Sequence, residues 1–211
     1  MKLPDDSEWF YMVSPDMAYV NVGLLKTTIH VTDMMAKIEN IPAVIFDLRN
    51  YPLPSTFLIC CFLTSGPQLF IDMNYIQDLS HCGSYFIKES IVDCPPDSII
   101  DCSKKYNGKI VALTYALTGS FPEILAMQFR NYGATLIGTP TAGMYGKCGW
   151  FKMPGGIVAN FSSVGCYGRN GEVVQRKGVI PDIEVYPTME SIREGKDEIL
   201  EQAINYLNSL K

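Results

Sequence analysis

Apolar residues in this chain fall into short, nearly unbroken blocks, set apart by Gly, Pro, Asn and Asp. Ala43-Val-Ile-Phe-Asp-Leu-Arg49 is apolar without alternation, which predicts a strand covered on both faces and ending in charge. Residues 17–23 read as another strand, Pro67 to Asp72 and Ile110 to Leu113 as two more, and Ala134 to Gly138 as a fifth. Between them lie helical patterns. Residues 31–39 predict a short helix starting near Thr32 or Asp33, Ser55 to Leu63 a second, and 121–131 a third. Asn50-Tyr-Pro-Leu-Pro54 is a turn, and residues 74–107 read as less regular, with loop signals at Cys94-Pro-Pro-Asp97 and Lys104-Lys-Tyr-Asn-Gly108. From 149 to 187 the pattern changes to short strands with glycine turns at Pro154-Gly-Gly156 and Gly168-Arg-Asn-Gly171. Asp182-Ile-Glu-Val-Tyr186 alternates like an edge strand. A C-terminal helix from about Lys196 places Ile199, Leu200, Ala203, Ile204 and Leu207 on one face.

Strand, helix and strand in succession over 110–138 form a parallel crossover unit, so the expected fold class is α/β with a mixed sheet. The 211 residues suffice for a single domain, 1–211, with a sizeable core. Apolar residues make up 47% and the net charge is −5, with no dense Lys/Arg run, so nucleic acid is not an expected partner. The longest apolar stretch, Phe57 to Leu63, is too short to span a membrane. The first residues are polar and acidic and form no signal peptide, so the chain is either cytosolic or part of a longer, exported one. The cysteines are Cys60, Cys61, Cys82, Cys94, Cys102, Cys148 and Cys166, seven in all, without a Cys-x-x-Cys pair or a Cys/His cluster of ligand spacing. No metal and no cofactor is expected. Cys60 and Cys61 are expected to pack as small hydrophobes.

The candidate chemistry sits at Gly119-Ser120-Phe-Pro-Glu123, where an apolar run ends in a Gly-Ser turn and a helix start follows at once. That arrangement lifts a hydroxyl out of a sheet and aims the first N–H groups of a helix at it, a ready site for the oxyanion of acyl transfer. Ser-x-x-Glu is equally a capping box, in which the serine serves the helix and the glutamate reaches back. Both readings stand on these residues alone.

Further motifs follow in order: Ile137-Gly-Thr-Pro-Thr141-Ala-Gly143-Met-Tyr-Gly146-Lys147, Met153-Pro-Gly-Gly156, Gln175-Arg-Lys-Gly178-Val-Ile-Pro181-Asp182 and Gly195-Lys-Asp197. With Asp47-Leu-Arg49-Asn50 upstream, the series resembles the catalytic domain of the tail-specific, or C-terminal processing, serine peptidases, and most of all a Bacteroides-type branch. The resemblance covers about residues 17–207. It implies a Clp protease/crotonase-like domain and hydrolysis of peptide bonds in unstructured or C-terminal segments of a peptide or protein substrate. Ser120 falls on the nucleophile, Glu123 on a supporting acid and the Phe121 N–H on one oxyanion donor. The family's second donor is usually a glycine after the Asp-Leu-Arg strand. Here Tyr51-Pro52-Leu53-Pro54 stands there, and prolines carry no N–H, so Leu53 is the donor expected from the turn.

Many members use a desolvated lysine as general base, and Lys147 is the candidate. It lies six residues after Thr141, farther than the family's lysine usually does, and Met144 falls nearer that place. Some relatives use a histidine instead. His30 and His81 both read as surface or internally satisfied histidines. The family usually carries a PDZ-like module and an N-terminal helical segment, neither of which is read in these residues. It tends to be exported, which implies an envelope, periplasmic or extracellular setting, and it leaves room for an oligomer.

Two rival readings use the same scaffold. One is a catalytically silent module that binds a hydrophobic ligand or peptide, as the similar retinoid-binding modules of animals do. The other is a crotonase-type acyl-CoA enzyme, which would need paired acidic residues at its oxyanion site, and no such pairing is found in the sequence.

Overall fold

The computed structural model describes residues 8–63, 68–76, 85–92, 105–146, 148–162, 165–168 and 171–210. Its centre is a sheet of order β1-β2-β3-β6-β7-β11, built from β1 (Phe10–Ser14), β2 (Met17–Asn21), β3 (Ala43–Asp47), β6 (Lys109–Thr114), β7 (Thr135–Gly138) and β11 (Ile183–Glu184). β1 is antiparallel to β2, and every other neighbouring pair is parallel. The mixed sheet and the crossover from β6 to β7 match the sequence pattern. Side-chain alternation explains how two core layers form on one sheet. Ala18, Val20, Val44, Phe46, Ala112 and Leu136 face α1 (Thr28–Ile38), α2 (Leu58–Leu63) and α3 (Phe121–Asn131). Met17, Tyr19, Ile45, Val111, Leu113 and Ile137 face α5 (Glu198–Ser209), which contributes Ile199, Leu200, Ala203 and Leu207, with Ile204 partly buried beside them. Covered strands need no polar face, hence the unbroken run at 43–46.

A smaller sheet of order β10-β4-β5 combines β4 (Gln68–Ile76), β5 (Tyr85–Val92) and β10 (Gly165–Tyr167), and β8 (Cys148–Lys152) forms a hairpin with β9 (Val158–Ser162). The short helix α4 (Met189–Glu194) precedes α5.

Several expectations are corrected. The first helix begins at Thr28, because Thr27 caps it by accepting the His30 N–H at 3.1 Å, ahead of Thr32 and Asp33. The stretch 74–107 is not uniformly irregular, since β4 runs on to Ile76 and pairs antiparallel with β5. The second helix opens as a single 3-10 turn, Pro54–Phe57, before α2. Cys60 is a free, buried thiol whose pKa burial pushes up, in keeping with a packed small hydrophobe. Its neighbour Cys61 is disulfide-bonded, so that expectation holds for Cys60 only.

The charged end of β3 is tied to the start of α5. The Arg49 guanidinium donates to Asp47 Oδ2 at 2.6 Å and to both oxygens of Asp197 at 2.8 and 2.6 Å, while Tyr19 donates to Asp47 at 2.6 Å. Asp197 also caps α5 by accepting the Leu200 N–H at 3.0 Å. Burial alone would favour a neutral Arg49. The adjacent Asp47 and Asp197 outweigh it and raise its pKa. Tyr11, stacked on Tyr19 at 4.7 Å, is pushed up to about 12 by burial and by the carboxylates of Asp197 and Asp47. The Asp-Leu-Arg motif is thus an anchor that fixes where the chain leaves β3.

Candidate active site

Three loops leave the C-terminal ends of the adjacent parallel strands β3, β6 and β7, the edge at which α/β sheets assemble sites. The loop after β3 carries Leu53, the loop after β6 ends in Ser120, and the loop after β7 carries Thr141 to Met144. They are stitched together. Thr118 Oγ1 reaches the Leu48 carbonyl at 3.5 Å, the Ala142 N–H donates to the Thr118 carbonyl at 2.8 Å, and the rings of Phe57 and Phe121 lie 6.2 Å apart. Gly119 packs closely here, since a Cβ on it would lie 3.0 Å from Ala142 Cβ and 3.2 Å from Met144 Sδ.

Ser120 has φ 68° and ψ −120°, the geometry of the first central residue of a type II′ turn, a position dominated by glycine. A serine there is strained by roughly 1–3 kcal/mol, and such strain concentrates at working sites. Residues 115–120 connect β6 to α3, and Ser120 makes the last turn into the helix. Ser120 is half-buried and forms a capping box with Glu123 at the head of α3. Within the box the Ser120 N–H donates to Glu123 Oε2 at 2.8 Å. Glu123 serves the helix start as a box residue does, and Ser120 adopts a backbone that ordinary caps, which are extended, do not use.

Pro122 has no N–H, and the Glu123 N–H is taken by the Ser120 carbonyl at 3.0 Å. The Phe121 N–H is what the first turn of α3 leaves for a ligand. Leu53 stands at the head of the 3-10 turn, its carbonyl accepting the Thr56 N–H at 3.0 Å and the Thr56 hydroxyl at 2.6 Å. These bonds use its acceptor and not its N–H.

Glu123 is fully buried and all its acceptor capacity is used. Oε1 accepts the Thr141 hydroxyl at 2.5 Å and the Gly143 N–H at 2.7 Å, and Oε2 accepts the Met144 N–H at 3.0 Å besides that of Ser120. Thr141, in the sequence only a landmark in Thr-Ala-Gly, proves to be part of this network. Its signal was a small hydroxyl residue two positions before a glycine, which here takes a φ of 67°. Met144 is exposed, with its backbone held to Glu123. Lys147 and His81 lie outside the described residues. His30 accepts the Lys26 N–H at 3.2 Å and stacks on Trp9, in keeping with a satisfied histidine. A groove of about 410 Å³ lined by Tyr106, Lys109, Tyr132, Thr135 and Tyr206 lies at the other end of β6 and β7, away from Ser120.

Among the described residues no group of three or more His, Cys, Asp or Glu is placed to hold a metal ion, and no helix is long and apolar enough to cross a membrane.

A sheet with these crossovers, carrying a strained serine above a helix start, defines the scaffold of the Clp protease/crotonase-like serine peptidases. Residues 70–185 match the model of peptidase family S41, and the chain belongs to this family, whose members are serine peptidases. No curated protein matches. Solved structures similar to it include a Parabacteroides merdae protein assigned as a peptidase (TM-score 0.77, 20% identity over 94% of this chain). Mature CPAF in complex with lactacystin is another (0.71, 13%, 92%), as is the photosystem II D1 C-terminal processing protease (0.60, 15%, 93%). At these identities the likeness is one of fold. This chain spans 63%, 52% and 50% of those three chains.

Proposed function

We propose that this chain is a serine endopeptidase unit, residues 1–211, that hydrolyses peptide bonds in unstructured or C-terminal segments of peptides and proteins. The observation that carries the reading is the backbone of Ser120, a non-glycine residue held at φ 68° where β6 hands over to α3. Nothing in helix capping needs that conformation. It does serve to project a hydroxyl over a helix N-terminus.

In this reading Ser120 Oγ attacks the scissile carbonyl and Lys147 accepts its proton. The developing oxyanion is held by the Phe121 N–H at the positive end of α3 and by the Leu53 N–H from the neighbouring loop. Glu123 orients the elbow. The protonated base then delivers the proton to the leaving amine, and water completes the cycle through the acyl-enzyme. S41 members are often periplasmic or extracellular, and we assign this unit to the same setting.

A fluorophosphonate probe is expected to label the folded protein, with the adduct mapping to Ser120 by peptide mass spectrometry. Absence of labelling from a folded sample that binds an apolar ligand would replace the enzyme by the binding module.

The oxyanion assignment has its own test. Leu53 has φ −85° and already precedes Pro54, so proline at 53 fits the backbone and removes the N–H together with the leucine side chain, for which Leu53→Ala is the control. Leu53→Pro is expected to lower kcat by about 10²–10³-fold, the usual cost of one oxyanion donor. A variant with kcat within threefold of the parent would remove Leu53 from the hole.

A further inference from the structure

We infer that Thr141 is a positioning residue for Ser120, acting through Glu123. The inference rests on the reading of Ser120 as nucleophile.

Thr141 is buried, and both valences of its hydroxyl are committed. It donates to Glu123 Oε1 at 2.5 Å and accepts the Val179 N–H at 2.7 Å. A single chain of hydrogen bonds therefore runs from the Val179 amide through the Thr141 hydroxyl to the Glu123 carboxylate, whose other oxygen accepts the Ser120 N–H. Successive bonds in such a chain polarise one another in a buried setting. The threonine is itself held from behind. Its N–H donates to the Val179 carbonyl at 3.2 Å, and the Arg176 N–H donates to the Gly143 carbonyl at 2.8 Å. Gly178, at φ 80°, admits this contact, since a Cβ there would fall 2.2 Å from the Thr141 carbonyl oxygen.

The Ser120 conformation is strained, so something must hold it. Its amide is held by Glu123, and a carboxylate on a flexible side chain fixes an amide only if its own torsion is fixed. Thr141, Gly143 and Met144 all lie on the loop after β7, the last two reaching Glu123 through backbone amides and Thr141 through its side chain. Thr141 is the member of this set whose side chain joins the carboxylate to the separate 174–179 turn, whereas Gly143 meets that turn only through its backbone carbonyl. Losing the Thr141 hydroxyl removes one of the two donors to Oε1, which loosens the carboxylate, relaxes the Ser120 amide and displaces the Ser120 hydroxyl from its attack line. Misplacement on the order of 1 Å costs about 10²-fold in rate.

The test compares Thr141→Val, which keeps the shape and loses the hydroxyl, with Thr141→Ser, which keeps the hydroxyl. Thr141→Cys, a weak donor of similar volume, supplies a third point if the valine variant does not fold. Three quantities are read: the rate of fluorophosphonate labelling at Ser120, kcat and KM on an unstructured peptide, and the amide proton shift of Ser120. The valine variant is expected to lose about 10–100-fold in labelling rate and kcat with KM within twofold. Its Ser120 amide proton should move upfield, the serine variant should stay within threefold of the parent, and the cysteine variant should fall between. Labelling of Thr141→Val at the parental rate overturns the inference, and so does equal loss in Thr141→Ser. A change confined to KM also overturns it. A parent protein that is never labelled refutes the nucleophile reading, and this inference with it. In that case an unmoved Ser120 amide shift in the valine variant would show separately that Thr141 does not hold the carboxylate.

Discussion

Ser120→Ala is expected to reduce peptide hydrolysis by at least about 10³-fold while leaving the fold intact, as loss of a nucleophile does in other serine peptidases. The backbone adds a second signature that ordinary nucleophile removal lacks. Alanine inherits the strain of φ 68°, whereas glycine adopts this region freely. Ser120→Gly should therefore be as inactive as Ser120→Ala yet more stable, by up to roughly 1 kcal/mol despite the added unfolded-state entropy. Denaturant midpoints of the two variants read the difference. Retention of hydrolysis by the alanine variant would eliminate the mechanism. An alanine variant clearly more stable than the glycine variant would mean that the elbow is not strained.

Glu123→Ala is expected to be the most damaging single substitution for stability. It deletes a fully buried carboxylate that satisfies the amides of Ser120, Gly143 and Met144 and the hydroxyl of Thr141. Each orphaned buried donor costs about 1–3 kcal/mol, partly recovered if water enters, so a net loss of about 3–5 kcal/mol is expected. For a chain of this size that lowers Tm by on the order of 10 °C. Glu123→Gln keeps one acceptor but turns an NH2 toward groups that are themselves donors, and should lie between the parent and alanine. If the alanine variant fails to fold, the glutamine variant still yields a melting curve. A Tm of Glu123→Ala within 2 °C of the parent would contradict the network as the source of local rigidity.

The strand–helix–strand unit around Ser120 was legible because its signals are local. An apolar block fixes β6, a short connection ending in Gly119-Ser120 follows it, and Ser-x-x-Glu with Pro122 starts α3. The buried strand 43–47 was legible from its unbroken apolar run. β5 was not, since Tyr85-Phe-Ile-Lys-Glu-Ser-Ile-Val92 breaks its apolar pattern with charge and owes its strand state to pairing with β4. The start of α1 is not legible in the sequence, because Thr27, Thr28, Thr32 and Asp33 compete as caps and only the formed bond shows that Thr27 prevails.

The chain alone determined that a hydroxyl would stand between an apolar strand and a helix start, with an acid three residues on, because these depend on neighbours in sequence. It could not tell a cap from a nucleophile, since both use the same four residues. Tertiary structure set Ser120 at a positive φ, the observation on which the proposed nucleophile role rests, and brought Thr141, Gly143 and Met144 onto Glu123 from some twenty residues away. Those donors are fixed by parallel pairing of β6 with β7 and by the turn at 174–179, contacts between distant segments that sequence periodicity does not encode.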